Sequence, residues 1–270
     1  MSDLRIFSYL PNPRIWKATI AARLCGVDVE VRGAPPGELA GWLWDFDARP
    51  LTDADRAAAA TVRVGTVGFT GTSLHKTDAF LEAHPFGTVP AAFSPDGTTG
   101  IFESNSIMRA VARLGDQRFP IYGRDAYEAS RIDSFLDASL VFARDTQTYL
   151  LALRGGGISA EVHTRAESAL ASYLAGIDRA LRPGRECLVG AGLTIADICF
   201  VAELALLHYE RARLRELETS GLQPILREAI VRAFPLALGH FARLRTHPAF
   251  VTDVDPYLSK LGRAGDPLQS

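Results

Sequence analysis

Over the first 114 residues the apolar positions switch between a period of two and a period near 3.6, the marks of strands and of helices. Residues 4–7 form a short apolar run that ends in a polar, proline-rich loop at 8–13. Residues 14–24 carry helical spacing through Ile15, Ala18 and Ala22, with Trp16 and Ile20 beside them. Residues 27–32 (Val27, Asp28, Val29, Glu30, Val31, Arg32) alternate strictly, which predicts a strand. A helix is expected at 77–83, followed by a strand at 89–93, a turn at Pro95-Asp96-Gly97 and a strand at 99–102, which together make a hairpin. Residues 104–114 close the region as a helix, with Ile107, Val111 and Leu114 on one face.

That order, β-α-β-α-β-β-α, predicts a thioredoxin-like α/β domain over residues 1–114. Residues 115–125, with Gly115, Pro120 and Gly123, read as a linker. Beyond it strand signals fade. Ile132, Phe135, Leu136, Leu140, Ala143, Tyr149, Leu150 and Leu153 keep helical spacing up to Gly155-Gly156-Gly157. Further helices are expected at 159–181, stopped by Pro183-Gly184, and at 194–214, 222–233 and 235–245. Thr194 and Asp197 have the spacing of a capping box. Residues 126–270 therefore read as an all-helical domain. The segment 33–73 is an insertion after the second strand, far longer than a strand-to-helix loop needs. It holds Trp42, Trp44 and Phe46 and then Thr52-Asp53-Ala54-Asp55 leading into an alanine-rich helix. It reads either as a lid or interface element or as a loop packed on the surface, and deletion of residues 41–61 is expected to alter assembly or substrate range and to leave the fold intact.

Composition narrows the classes. The chain has 270 residues, 47% hydrophobic, and a formal charge of −2 from 29 basic and 31 acidic residues. The hydrophobic fraction argues against disorder, and the charge balance argues against a nucleic-acid binder. No apolar run reaches the roughly 20 residues that span a bilayer, and the first residues lead straight into a strand, so neither a membrane span nor a signal peptide is expected. Cys25, Cys187 and Cys199 are an odd set with no C-x-x-C pair, and the six histidines show no ligand spacing, so neither a disulfide framework nor a metal site is expected. The expected setting is the reduced cytoplasm.

Three stretches carry a family resemblance: His84-Pro85-Phe86-Gly87-Thr88-Val89-Pro90-Ala91, Ile101-Phe102-Glu103-Ser104-Asn105-Ser106-Ile107 and Gly190-Ala191-Gly192-Leu193-Thr194-Ile195-Ala196-Asp197. In this order and at these intervals the chain resembles the cytosolic glutathione transferase superfamily over nearly its whole length. Within that superfamily, residues 9–22 (with Asn12, Arg14 and Lys17) and Ala34-Pro35-Pro36 are similar to the transferase-like part of the gamma subunit of translation elongation factor one. The long insertion departs from ordinary members.

The resemblance implies a glutathione site. In the family the bond before Pro90 is cis and the backbone of Val89 pairs with the cysteinyl backbone of glutathione. Family likeness puts the γ-glutamyl group at Glu103 and Ser104, with Ser104 donating to its carboxylate and Glu103 near its amine. A strand end meeting a helix start suits a carboxylate there, and Ser104 also reads as a plain N-cap. The glycine carboxylate of glutathione needs a cation or an amide donor. Many members place a lysine where this chain has Thr88, and His75 and Lys76 are the nearest alternatives; the two also read as solvated surface residues. Chemistry needs a thiolate, and a donor to the sulfur lowers the thiol pKa. Family likeness puts such a donor in the first loop, where Asn12 is the first candidate and Ser8 the second; Tyr9 is a hydroxyl alternative that also reads as a packed aromatic, and Arg14 reads as a helper or as a solvated helix residue. Asn12 before Pro13 equally reads as a helix cap.

The expected activity is attack of the glutathione thiolate on a hydrophobic, aromatic electrophile, by conjugation or by aryl ether cleavage. The alternative is a non-catalytic, transferase-shaped interaction module. The resemblance implies a homodimer, or a heterodimer with a related subunit, for which the Trp42-Trp44-Phe46 cluster offers a contact.

Overall fold

The computed structural model describes residues 2–58, 61–66, 68–182 and 184–262. Two compact units divide the chain, Met1–Phe119 and Pro120–Ser270. The first unit opens with strand β1 (Leu4–Tyr9), helix α1 (Pro13–Cys25) and strand β2 (Val29–Ala34). Asn12 caps α1 by accepting the Arg14 backbone N–H at 3.0 Å, and Pro13 fills a first position where no N–H is required. Strand β2 lies parallel to β1 with Gly33 opposite Ser8, and a Cβ on Gly33 would stand 1.7 Å from the Ser8 carbonyl oxygen. Only glycine fits that approach. The strand starts and ends two residues later than the alternation predicts, because β2 is an edge strand whose first five residues are half-buried, so the alternation does not set its limits.

Residues 33–73 are not a loop. Gly33 and Ala34 complete β2, and Ser73 begins a new strand. Between them a 3-10 turn (Pro36–Gly41) leads to β3 (Trp42–Trp44), β4 (Arg49–Pro50), helix α2 (Asp53–Ala57), β5 (Val62–Val64) and β6 (Ser73–Lys76). These strands form a second four-stranded sheet in the order β4-β3-β6-β5, with β3 parallel to β6. Ala59, Ala60 and Val67, within the expected insertion, lie outside the described residues. Helix α3 (Asp78–Ala83), capped by Thr77, returns the chain to β7 (Ala91–Phe93), β8 (Gly100–Phe102) and helix α4 (Ser104–Leu114). The main sheet has the order β2-β1-β7-β8, with β1 antiparallel to β7 and β7 antiparallel to β8. The thioredoxin-like layer is thus as expected, with a second sheet set into it.

The two sheets share one core. Trp44 is 1% exposed and lies in a cluster with Phe7, Leu39, Leu74, Phe80 and Phe93. Its ring meets Phe7 edge-on at 5.3 Å and Phe80 at 6.1 Å, and its indole N–H donates to the Leu39 carbonyl at 3.0 Å. Trp42 stacks on Phe7 at 6.0 Å, and Phe46 carries the Arg5 guanidinium 4.9 Å above its ring. The expectation of a dispensable lid or subunit contact therefore fails for Trp44, which is core.

The second unit is helical: α5 (Ala126–Arg154), α6 (Ala160–Ala180), α7 (Ile195–Leu207), a 3-10 turn (His208–Arg213), α8 (Leu214–Thr219), α9 (Glu228–Ala233), α10 (Pro235–Arg245) and α11 (Pro248–Lys260). Pro183, expected to stop α6, lies outside the described residues. The helix expected from residue 222 begins six residues later. The backbone N–H groups of Ile225 and Leu226 donate instead to the buried Glu210 carboxylate at 3.0 and 2.9 Å, which holds that stretch out of a helix. Helix α11 has no counterpart in the sequence reading, although Pro248 occupies its first turn and His247 caps it.

Asp197, fully buried, closes the expected capping box on α7. One oxygen accepts from the Thr194 N–H and hydroxyl, the other from the Leu188 N–H and His240 Nε2, all at 2.9 Å. Phe142 of α5 stacks on Tyr173 of α6 at 4.6 Å inside this unit's core.

Three outcomes follow for stability. Trp44→Ala should cost about 3–5 kcal/mol in chemical unfolding of the full chain, the usual range for emptying an aromatic core position. Val64→Ala, on the 75% exposed end of β5, should stay within about 0.5 kcal/mol. Asp197→Ala should cost about 3–5 kcal/mol, because it strands buried donors without an acceptor; a loss near that of a surface substitution would remove Asp197 from the folding core.

Candidate functional site

The ends of three strands gather the sequence-predicted residues. In the antiparallel register Phe7 faces Ala91 and Ala91 faces Phe102, so the loop after β1, the segment before β7 and the start of α4 meet at one end of the main sheet. These are the loop of Ser8, Tyr9, Asn12 and Arg14, the segment of Thr88, Val89 and Pro90, and the turn of Glu103 and Ser104.

The first loop is closed on itself. Ser8 and Asn12 are buried, and Asn12 Nδ2 donates to Ser8 Oγ at 3.1 Å while its Oδ1 caps α1. The capping reading of Asn12 is therefore realised, and its amide is already engaged with Ser8. Tyr9 and Arg14 are the half-buried members of the loop. The Leu10–Pro11 bond is cis, which the sequence reading does not anticipate.

The Val89–Pro90 bond is cis, as the sequence reading expects. Among the described residues, the backbone N–H and C=O of Val89 make no hydrogen bond, so this stretch is a short unpaired edge. The turn before it is held from two sides. His84, fully buried, accepts the Thr88 backbone N–H on Nε2 at 3.2 Å and stacks on Phe102 at 4.9 Å. Burial pushes the His84 pKa below its usual value, so the ring is neutral with its proton on Nδ1. From the other side Lys76 Nζ donates to the Gly87 carbonyl at 2.6 Å and sits 4.8 Å above the Trp44 ring. Burial pushes the Lys76 ammonium below the usual lysine range.

Lys76 is thus enclosed beneath the turn. His75, in β6 of the second sheet, is half-buried with Nδ1 3.2 Å from Thr61 Oγ1. Neither is a solvated surface residue, and His75 is not bonded to the other candidates.

Glu103 is the N-cap of α4, and Ser104 is its first helical residue rather than the cap. Glu103 is exposed and holds φ at 65°, the one positive-φ residue other than glycine among those described. Such a conformation costs of order 1–3 kcal/mol and collects at functional sites. Its side chain makes no capping bond, so the first N–H groups of α4 lack that partner. Behind Ser104, the buried Lys17 of α1 donates to Ser104 Oγ at 3.2 Å and to Asn105 Oδ1 at 2.7 Å. Sequence reasoning met Lys17 only through its resemblance; the signal available was a lysine between Trp16 and Ala18 on a helix otherwise apolar there. The assembly offers an unpaired strand edge beside a cluster of N–H donors backed by a cation. A short peptide with a terminal carboxylate matches both.

Residues 13–114 match the family described as glutathione S-transferase, N-terminal domain. The glutathione S-transferase-like protein FUS3 of Gibberella moniliformis is 24% identical over 195 residues, 72% of each chain. Elongation factor 1-gamma of Trypanosoma cruzi is 32% identical over 147 residues, 54% of this chain and 33% of that protein, so the chain spans about a third of that relative. Among solved structures, a glutathione S-transferase of Methylobacterium radiotolerans in complex with glutathione sulfonate aligns with a TM-score of 0.59 at 19% identity, over 93% of this chain and 94% of that one. One of Methylobacillus flagellatus with glutathione bound aligns with a TM-score of 0.60 at 14% identity, over 93% of this chain and 98% of that one. By sequence, residues 13–114 carry a glutathione S-transferase N-terminal domain, the chain has the fold of glutathione S-transferases, and its N-terminal part is similar to that of elongation factor 1-gamma.

Proposed function

We propose that the protein is a glutathione-dependent transferase, with a thioredoxin-like domain at 1–114, a linker at 115–125 and a helical domain at 126–270. The observation that carries this reading is the meeting, at one sheet end, of the unpaired Val89 backbone with the N-terminus of α4 and the Ser104 hydroxyl. Glutathione is an extended peptide with a carboxylate at each end. Its cysteinyl backbone pairs with Val89 beside Pro90, and its γ-glutamyl carboxylate meets Ser104 and the first N–H groups of α4, with its amine toward Glu103. Thr88 and Lys76 act by holding the turn that presents Val89, and His75 is the remaining candidate partner for the glycine carboxylate.

The sulfur then lies near the loop after β1. Ser8 accepts from Asn12, which leaves the serine proton to donate, and Tyr9 and Arg14 are the partly exposed polar groups beside it. Any of these donors favours the thiolate, which attacks carbon in a hydrophobic, aromatic electrophile and expels the leaving group, a phenol in the case of an aryl ether. The three cysteines, buried and not joined in disulfides, suit a reducing cytoplasm. Phe86, 67% exposed at the tip of the turn, suits a dimer contact. The similarity to elongation factor 1-gamma favours, as a second reading, an interaction module without catalysis.

Thermal unfolding with glutathione and with S-hexylglutathione separates the two. A ligand at about 100 times its dissociation constant stabilises by roughly 2.7 kcal/mol. A rise in Tm with both ligands, together with turnover of 1-chloro-2,4-dinitrobenzene, is the expected result; release of phenol from a model aryl ether would assign the ether-cleaving type. No rise with either ligand would turn the reading to the interaction module.

A further inference from the structure

Helix α1 packs against α4, and Lys17 reaches across with 0% exposure to two adjacent residues of α4, Ser104 and Asn105. An ammonium group has donors and no acceptor, whereas a serine hydroxyl has one proton and two acceptor sites. The bond of 3.2 Å therefore runs from Nζ to Oγ, and the Ser104 proton points away from Lys17. The shorter bond to Asn105 Oδ1, 2.7 Å, fixes the ammonium from a second direction. The first N–H groups of α4 belong to the same turn and receive no bond from the Glu103 side chain. A buried positive charge thus stands beside the hydroxyl that opens this helix. A neutral ligand group gains little from that charge, and an anionic oxygen gains much, because the interior screens poorly.

The geometry points to Lys17 as a positioning residue that orients the Ser104 hydroxyl and makes the subsite selective for a carboxylate. This rests on the reading of Ser104 as the partner of the γ-glutamyl carboxylate. Lys17 itself, buried behind Ser104, acts through it.

The test compares S-hexylglutathione with its analogue in which 4-aminobutanoyl replaces γ-glutamyl, so that only the α-carboxylate is missing. Dissociation constants are measured by calorimetry for the unaltered full chain, Lys17→Met, Ser104→Ala and the double variant. The unaltered chain should prefer the carboxylate ligand by about ten- to a hundredfold, the range of a charge-assisted hydrogen bond. Lys17→Met should reduce that ratio to about the Ser104→Ala value, with affinity for the analogue nearly unchanged, and the double variant should lose nothing further. A Lys17→Met chain that weakens both ligands equally, as lost packing would, overturns the proposal, and so does an unchanged ratio. If methionine prevents folding, Lys17→Gln runs the same comparison. Failure of the unaltered chain to bind S-hexylglutathione would overturn the reading of the site and Lys17's role with it, a result distinct from binding with no effect of Lys17.

Discussion

Burying an indole removes about 150–250 Å² from water, worth about 4–6 kcal/mol of transfer free energy, and in this chain that indole is Trp44. It is reached by Phe7 from the main sheet, Leu74 from the second sheet and Phe80 from α3. Strands of two to four residues do not hold together by their own hydrogen bonds. The second sheet persists because Trp44 and Leu74 share a core with the first. The consequence reaches the candidate site through Lys76, which lies over the exposed-to-charge face of the same indole and donates to the Gly87 carbonyl. The ring face and the carbonyl offset the cost of enclosing the ammonium. The turn before Val89 is thus tied to the second sheet as well as to His84.

The candidate site is made mostly of backbone at strand and helix ends, with side chains that set its polarity. Two serines follow one logic. Ser8 accepts from the Asn12 amide, and Ser104 accepts from the Lys17 ammonium. In each case a donor occupies the acceptor side of a hydroxyl and leaves its proton to give. Each arrangement lies at the start of a helix, α1 or α4, where the helix dipole already favours negative charge.

In the second unit two buried carboxylates organise the chain. Asp197 gathers donors from three segments, and Glu210 gathers the Tyr149 hydroxyl and two backbone N–H groups. Burial pushes the Glu210 pKa up, while its three donors pull the other way. Each acts as a hub that specifies where the backbone leaves a helix, which apolar packing alone does not dictate.

Helices α1, α4, α5, α6 and α10 and the hairpin of β7 and β8 were legible from local signals: periodic apolar positions, Asn12-Pro13 as a start and Gly155 as a stop. The cluster of Val89-Pro90 and Glu103-Ser104 was legible as a motif, because the chemistry there depends on short runs of adjacent residues. The second sheet was not, since strands such as Trp42–Trp44 are shorter than one full alternation. Nor was the stretch at Ile225 and Leu226, whose conformation depends on Glu210, fifteen residues away. In sequence Lys17 stands between Trp16 and Ala18 and Lys76 between His75 and Thr77, and neither neighbourhood names the acceptor its ammonium finds. Propensity, period and capping act within a few residues, so local signals specify the α/β layer, the helical unit and the motif at the sheet end. That Lys76 serves a turn and Lys17 a serine emerges from the folded chain, because the acceptor a buried ammonium finds is set by packing across elements far apart in sequence.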